Sequence, residues 1–210
     1  EQPNIIFIMS DDHAWQALSA YGHPLSEIAP TPQIDRLAEE GMRFDRCLVT
    51  NSICGPSRAT LLTGTYSHYN GMYRNGGRVN TFDPQKQTFP KLLQEAGYKT
   101  AMIGKWHLPG QPSGFDHWDI LPGQGQYYNP SFISKDSTCR VNGYVSDIIT
   151  DKSLEWLKKS SGGEKPFLLL MHHKAPHRRW EPGPKHLDSF DGVIFPEPAT
   201  LLDENKGRGT

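Results

Sequence analysis

The sequence has few of the features that define membrane-spanning, disulfide-rich or nucleic-acid-binding proteins. Its 210 residues contain no apolar run of about eighteen residues, so no transmembrane helix is predicted. Three cysteines are too few for a disulfide framework, although Cys47 and Cys139 could still pair. The 22 basic and 23 acidic side chains give a net charge of -1, so no global field attracts nucleic acid or an anionic membrane. We therefore expect neither a nucleic-acid partner nor a membrane span.

Strand and helix patterns alternate along the chain. Apolar runs typical of strands covered on both faces of a parallel sheet occur at residues 4–9, 98–103 and 166–171. Helical patterns separate them at residues 31–41, 88–97 and about 142–159. This order favours an open α/β sheet, in which polar groups gather beyond the carboxyl ends of the strands.

Residues 110–135 show little periodicity and are rich in glycine, proline and aromatic side chains. A loop of this length is uncommon in a compact domain unless it is functional or disordered. Its aromatic residues argue against disorder. An insertion on the substrate side and a plain packing role are the two interpretations.

Each predicted strand is followed by polar side chains. Asp11 and Asp12 follow the first strand, and Lys105 and His107 follow the second. Histidines follow the third strand at positions 172, 173 and 177. Adjacent carboxylates repel each other unless a cation or a proton lies between them, and oxygen ligands suit Ca²⁺ or Mg²⁺. The alternative is that Asp11 and Asp12 cap a following helix.

Cys54 begins the most informative segment, residues 54–64, which reads CGPSRATLLTG. Arg58 follows four residues later, so both side chains can face one spot on the first turn of a helix. A lone cysteine is often only a buried thiol. This segment, however, resembles the one in which sulfatases convert a cysteine to formylglycine.

Two further segments carry the same resemblance. Residues 97–107, GYKTAMIGKWH, resemble the second sulfatase signature, and Ala175-Pro176-His177 after an apolar strand resembles a third sulfatase segment. The chain is therefore similar to the formylglycine-dependent sulfatase family from Pro3 to about Lys185. The resemblance implies the alkaline-phosphatase-like α/β fold, a mostly parallel sheet flanked by helices.

The resemblance also implies a metal site and a modified nucleophile. Asp11, Asp12 and the modified Cys54 are expected to hold Ca²⁺, with Mg²⁺ as the alternative. A maturation enzyme that generates formylglycine is the implied partner. The hydrate of the formylglycine aldehyde has two hydroxyls, so one attacks sulfur and the other later expels sulfate, which divides covalent catalysis into two easier steps.

The remaining expected site residues bind the sulfate or move protons. Arg58 is expected to stabilise the developing oxyanion, since a guanidinium keeps its proton. By resemblance, Lys105 binds a sulfate oxygen and His107 hydrogen-bonds the formylglycine hydroxyl. His177 is expected to contact sulfate and to donate a proton to the leaving oxygen. Either His172 or His173 is expected in internal packing.

The expected activity is hydrolysis of a sulfate monoester on a carbohydrate. Residues 120–130 and 172–178 look like bacterial carbohydrate sulfatases that act on N-acetylglucosamine 6-sulfate of mucin or heparin-type glycans. Arg178, Arg179 and Lys185 could hold an acidic sugar, although exposed cations are more often only solvated. The alternatives are another sugar sulfatase, a formylglycine-dependent phosphonate or phosphate monoester hydrolase, and a non-catalytic glycan-binding remnant.

The resemblance leaves part of a sulfatase unaccounted for. Sulfatases usually supply a later Asp-Asn or Asp-His pair to the metal and a second lysine to the sulfate, and the chain offers no convincing counterpart. Residues 1–210 are thus expected to form the amino-terminal part of the catalytic domain, incomplete at the carboxyl end and inactive alone, with an exposed sheet edge. The abrupt start suits a periplasmic or secreted protein whose signal peptide has been removed, or a trimmed chain.

Overall fold

The computed structural model describes residues 2–76, 82–198, 200–204 and 207. The chain divides into two compact units, of which the first comprises Glu1–His13 with Cys47–Pro184 and the second Ala14–Arg46 with Lys185–Thr210. All the predicted site residues belong to the first unit. No helix in the described part of the chain is long and apolar enough to cross a membrane.

A six-stranded sheet forms the centre of the first unit. Its strands are β1 (Ile5–Met9), β2 (Lys99–Lys105), β3 (His117–Leu121), β4 (Ser131–Ile133), β5 (Thr138–Arg140) and β6 (Phe167–His172). Their order across the sheet is β1-β6-β2-β3-β4-β5. The first four strands in this order are parallel, whereas β3, β4 and β5 pair antiparallel. The prediction of a mostly parallel α/β sheet is therefore confirmed, with an antiparallel extension.

Helices flank this sheet in the first unit. They are α2 (Cys54–Thr63), α3 (Ser67–Asn70), α4 (Phe89–Glu95) and α5 (Val145–Ser160), while α1 (Pro32–Glu40) lies in the second unit. The side chains of the central strands alternate between the sheet's two faces, because successive residues of a strand point in opposite directions. Met102 and Leu170 join the core cluster that contains α2, and Ile103 and Leu169 join the cluster that contains α5.

The second unit consists of short helices. Beside α1 it contains 3-10 helices at Trp15–Ala17, Ser19–Tyr21 and Pro24–Glu27. The Asp35 carboxylate accepts hydrogen bonds from the Ser19 hydroxyl at 2.5 Å and from the Thr31 hydroxyl at 3.0 Å. These bonds join the start of α1 to the preceding helical turn, so the predicted helix at 31–41 is confirmed.

Two expectations about the sheet are corrected. β1 is not covered on both faces, since Ile6 and Ile8 are 48% and 59% exposed and β1 lies at an edge of the sheet. A continuous apolar run does not distinguish an edge strand from a central one. Residues 110–135 were expected to form a loop, but they contain the strands β3 and β4. β1 and β5 are the two edge strands of the described sheet.

The three cysteines are all free thiols, and Cys47 and Cys139 are exposed. No disulfide between Cys47 and Cys139 is present, which settles the pairing that the sequence left open.

Candidate active site

Three neighbouring parallel strands bring the predicted residues together. β1, β6 and β2 are adjacent, so their carboxyl ends meet at one edge of the sheet. Beyond that edge the Asp11 amide donates to the Ala175 carbonyl at 3.0 Å, and the His173 amide donates to the Met9 carbonyl at 2.7 Å. The segments that follow β1 and β6 are therefore joined by backbone hydrogen bonds.

Gly104 permits the close approach of β2 and β6 at this edge. It pairs with His172, and its φ of 108° lies in a region that favours glycine. A Cβ atom at this position would collide with the His172 carbonyl oxygen. The glycine therefore allows the next residue, Lys105, to reach the segment after β1.

Asp11 is the centre of a buried ion cluster. Its carboxylate accepts a hydrogen bond from the Lys105 ammonium, and its Oδ1 lies 3.3 Å from Nη2 of Arg58. Burial raises the pKa of Asp11, but the Lys105 hydrogen bond and the charges of Lys105 and Arg58 outweigh that effect and hold the pKa below its usual value. Asp11 is thus ionised at neutral pH.

Arg58 projects into this cluster from α2, where it is 2% exposed. Its Nη1 donates to the Lys105 carbonyl at 2.6 Å and lies 3.0 Å from Nδ1 of His172. Because an arginine can only donate, His172 must accept through Nδ1. Burial and the charge of Arg58 hold the pKa of His172 well below its usual value, which keeps the ring neutral for this purpose. His172 is therefore the histidine in internal packing, and it supports Arg58.

The Lys105 ammonium also donates to Oε1 of Gln124, which lies in the loop after β3. An ammonium has three N–H donors, and the bonds to Asp11 and Gln124 use two of them. The main-chain oxygen of Gln124 accepts from the Lys174 ammonium at 3.1 Å. Burial and the charge of Lys105 lower the pKa of Lys174. The sequence analysis did not single out Gln124 or Lys174 as site residues, although both lie in the segments 120–130 and 172–178 that resemble carbohydrate sulfatases.

Cys54 occupies the first turn of α2, where the Gly55 amide donates to Oδ1 of Asn75 at 2.8 Å. The Cys54 sulfur, a carboxylate oxygen of Asp11 and a ring nitrogen of His177 all lie within 4.8 Å of one another. A cavity of about 470 Å³, here named the Cys54 cavity, lies over the thiol. Its lining residues are Asp12, Ser52, Ile53, Cys54, Asn75, Gln124, His177, Arg178 and Trp180.

His177 has a defined tautomer. Its Nδ1 lies 2.6 Å from the Arg178 carbonyl oxygen, which can only accept, so Nδ1 carries a proton. Its Nε2 lies 3.6 Å from Oδ2 of Asp12. Nε2 is therefore the atom at which a proton can be gained or released.

The structure places two predicted residues slightly apart from this group. Asp12 contacts His177 but does not belong to the triplet formed by Asp11, Cys54 and His177. His107 lines a neighbouring cavity of about 490 Å³, which shares Asn75 with the Cys54 cavity. Burial, followed by the charges of Lys105 and Arg58, lowers the pKa of His107 to about 4, so its ring is neutral at pH 7.

The carboxylates in and beside the Cys54 cavity suit a hard cation in type but not in number. Asp11 and Asp12 supply carboxylate oxygens, whereas calcium usually takes about six to eight oxygen ligands. The Asp11 oxygens are meanwhile directed at Lys105 and Arg58. Asp11 and Asp12 could thus supply only part of a calcium site, and further oxygen ligands are needed to complete it.

The Sulfatase family model matches residues 3–193, so the chain belongs to the sulfatase family. Members of this family are generally calcium-dependent and use formylglycine.

Individual relatives agree with this assignment. The chain is 53% identical over 212 residues to an N-acetylglucosamine-6-O-sulfatase of Bacteroides thetaiotaomicron, which covers 100% of this chain and 37% of that protein. It is 39% identical to the N-acetylgalactosamine-6-sulfatase of Sus scrofa, over 99% of this chain and 46% of that protein. The chain thus spans less than half the length of these relatives.

A solved structure matches the whole chain. BT4656, solved in complex with its substrate D-glucosamine-2-N,6-O-disulfate, superposes with a TM-score of 0.92 at 52% identity, over 100% of this chain and 42% of that one. The alkaline-phosphatase-like fold inferred from the motifs is therefore confirmed.

Proposed function

We propose that the protein hydrolyses sulfate monoesters on carbohydrates, and that its substrate carries N-acetylglucosamine 6-sulfate. The observation that carries this proposal is the grouping of the Cys54 sulfur with a carboxylate oxygen of Asp11 and a ring nitrogen of His177 within 4.8 Å, beside a cavity that Cys54 and His177 line. The 53% identity to an N-acetylglucosamine-6-O-sulfatase supports the choice of sugar. We also propose that residues 1–210 form the amino-terminal part of the catalytic domain, and that the protein is periplasmic or secreted.

The proposal assigns an oxygen nucleophile and a cation to the base of the cavity. Cys54, once oxidised to formylglycine by a maturation enzyme, would supply the nucleophile, and Ca²⁺ would neutralise sulfate charge. Asp11 and Asp12 would hold the cation together with the oxygen of the modified Cys54. Mg²⁺ is the alternative ion, since it also prefers oxygen ligands.

The cationic side chains would bind and polarise the sulfate. Lys105 has one ammonium proton that neither Asp11 nor Gln124 uses, and in this proposal that proton would be donated to a sulfate oxygen. Arg58, held by His172 and the Lys105 carbonyl, would stabilise negative charge near Cys54. Its buried position prevents competition from water, which strengthens the interaction.

Two histidines, His107 and His177, would position the nucleophile and protonate the leaving group. His107, with its pKa lowered to about 4, stays neutral at pH 7 and would hydrogen-bond the hydroxyl of the nucleophile. His177 would deliver a proton from Nε2 to the leaving oxygen of the sugar, while the Arg178 carbonyl holds its Nδ1 proton. A sugar alkoxide is a poor leaving group, so this proton transfer should matter.

The proposal is tested on the full-length protein after peptide mass mapping has shown formylglycine at position 54. We expect sulfate release from 6-sulfated N-acetylglucosamine, loss of that activity in Cys54→Ala, and retained activity in the control Cys139→Ala, which removes an exposed thiol. His177→Ala should slow sugar sulfates more than aryl sulfates, whose leaving groups need no proton. Equal or faster turnover of the matching phosphate ester would instead indicate a phosphatase. No turnover of either ester would favour a glycan-binding remnant.

A further inference from the structure

A second cavity, of about 650 Å³, opens beside the Cys54 cavity, and we call it the arginine cavity. The two cavities share Gln124, His177 and Arg178 in their walls. The charged groups of the arginine cavity are Arg140, Lys174, Arg178, Arg179 and Glu181, apart from His177. The lining of the arginine cavity therefore contains four cationic side chains and one anionic side chain, although the whole chain has a net charge of -1.

Three tyrosine hydroxyls hold one wall of the arginine cavity in place. The Tyr127 hydroxyl donates to the His177 carbonyl, the Tyr144 hydroxyl donates to the Glu181 carbonyl at 2.9 Å, and the Tyr128 hydroxyl donates to the Pro182 carbonyl at 2.5 Å. The segment that carries two of the arginines is thus anchored at both of its ends. A preorganised backbone lowers the entropy cost of ligand binding.

The arginines of this cavity are available to a ligand. Arg140 comes from β5, and its Nε donates to the Asn129 carbonyl at 3.0 Å, which leaves both terminal nitrogens for other acceptors. Within the described part of the chain, neither Arg140, Arg178 nor Arg179 forms an ion pair. Guanidinium groups bind carboxylate and sulfate through paired hydrogen bonds, so several of them around a concave surface favour an anionic ligand.

We infer that the arginine cavity binds an anionic group, a carboxylate or a sulfate, on the sugar next to the one whose ester is cleaved. This inference rests on the proposed function. Because the two cavities share Gln124, His177 and Arg178, a sugar over Cys54 would extend its neighbour into the arginine cavity. The ring of Tyr128, which is 37% exposed, offers this neighbour an apolar surface. The arginine cavity therefore selects glycans that carry a second negative charge beyond the scissile sulfate.

The test uses the full-length, matured protein and three disaccharides of 6-sulfated N-acetylglucosamine. The attached sugar is a neutral hexose, a uronic acid or a sulfated hexose. The variant is Arg140→Ala with Arg179→Ala, because neither residue lines the Cys54 cavity. The control, Lys158→Ala with Lys159→Ala, removes the same charge from the exposed surface of α5.

We expect the arginine variant to lower kcat/KM by about tenfold or more on the charged disaccharides, mainly through KM, since each lost bond is charge-assisted. On the neutral disaccharide the change should stay below about threefold. Added salt should shrink the preference of the unchanged protein for charged substrates, because it screens exposed charges. A loss confined to the uronic acid identifies a carboxylate site, and a loss confined to the sulfated hexose identifies a sulfate site. An equal loss on all three substrates, or the same loss in the lysine control, would overturn the inference.

A binding measurement separates this inference from the proposed function. Calorimetry with Cys54→Ala compares the charged and neutral disaccharides, with and without the two arginine substitutions. Tighter binding of a charged disaccharide that disappears with the arginines supports the arginine cavity, even if the matured protein hydrolyses nothing. Equal binding of charged and neutral disaccharides would refute it, even if sulfate is released.

Discussion

The ion cluster around Asp11 and the arginine cavity are both rich in cationic side chains, but they differ in burial and in partners. Arg58 and Lys105 are buried, and both contact the Asp11 carboxylate. Arg140 and Arg179 are exposed and form no ion pair with a described residue. A buried charge must be compensated inside the fold, whereas an exposed charge is compensated by water until a ligand arrives. Cationic side chains therefore have a structural role around Asp11, whereas those of the arginine cavity remain available to bind a ligand.

The largest change in the free energy of unfolding is expected when the buried Asp11 carboxylate loses a cationic partner. Lys105→Met leaves the Asp11 carboxylate without its closest cation, so we expect the free energy of unfolding to fall by about 3–5 kcal/mol. Chemical denaturation at pH 7 measures this change. The control Lys159→Met breaks a pair with Glu155 in which Lys159 is 68% exposed, and it should cost less than about 1 kcal/mol. Similar losses in both variants would contradict the difference between the two regions.

Gly104→Ala tests whether the strand ends must approach so closely. Its Cβ would meet the His172 carbonyl oxygen, and φ is 108°, so steric overlap and backbone strain should together cost about 2–4 kcal/mol. Gly64→Ala is the matched control, since φ is also positive there but no heavy atom lies within 4 Å of the added carbon. It should cost about 1 kcal/mol. Equal costs would mean that β2 and β6 can separate without penalty.

The buried imidazole of His172 should make stability depend on pH. The folded protein keeps His172 neutral, whereas the unfolded chain titrates near pH 6.5, so below that pH the unfolded state binds more protons. The free energy of unfolding should therefore fall with decreasing pH, with His172 contributing up to about 1.4 kcal/mol per pH unit. His107 and His173, whose pKa values are also lowered, add to the total slope.

His172→Asn isolates this contribution, since asparagine does not titrate and its oxygen can still accept from Arg58. The free energy of unfolding, measured from denaturation curves between about pH 7.5 and about pH 4.5, should depend less steeply on pH in this variant. His172→Leu should lose the same slope but should be about 1–2 kcal/mol less stable at pH 7.5 than His172→Asn, because the Arg58 donor loses its acceptor. An unchanged slope in both variants would show that His172 does not titrate on unfolding.

The smallest effect is expected in the wall of the arginine cavity. Tyr127→Phe removes the hydroxyl that donates to the His177 carbonyl from a buried ring, and should cost about 1 kcal/mol. Tyr128→Phe removes a more exposed hydroxyl, whose acceptor can turn to water, and should cost less than about 0.5 kcal/mol. Thermal or chemical denaturation compares the two. A larger loss of stability for Tyr128→Phe than for Tyr127→Phe would mean that the more exposed hydrogen bond contributes more to stability than the buried one.

Much of the sheet could be predicted from the sequence. Continuous apolar runs predicted β2 and β6, and the polar residues after them indicated that the candidate site lies at the carboxyl ends of the strands. The sequence did not indicate that β1 lies at an edge, because Ile6 and Ile8 have the same hydrophobicity as buried strand residues. It also did not indicate β3 within residues 110–135, since polar and apolar residues are mixed in this strand, whereas the equally short β1 is a continuous apolar run.

The sequence by itself indicated the family and the candidate site residues, because the segment that begins at Cys54 and two further motifs at strand ends resemble those of sulfatases. The tertiary structure alone decided how the charges are compensated. It directed Lys105 and Arg58 at Asp11, made His172 the acceptor for Arg58, and brought Gln124 to Lys105 from the loop after β3. These contacts join residues far apart in the chain. Their energies depend on burial and on the distance between charged atoms, which no local spacing of residues records.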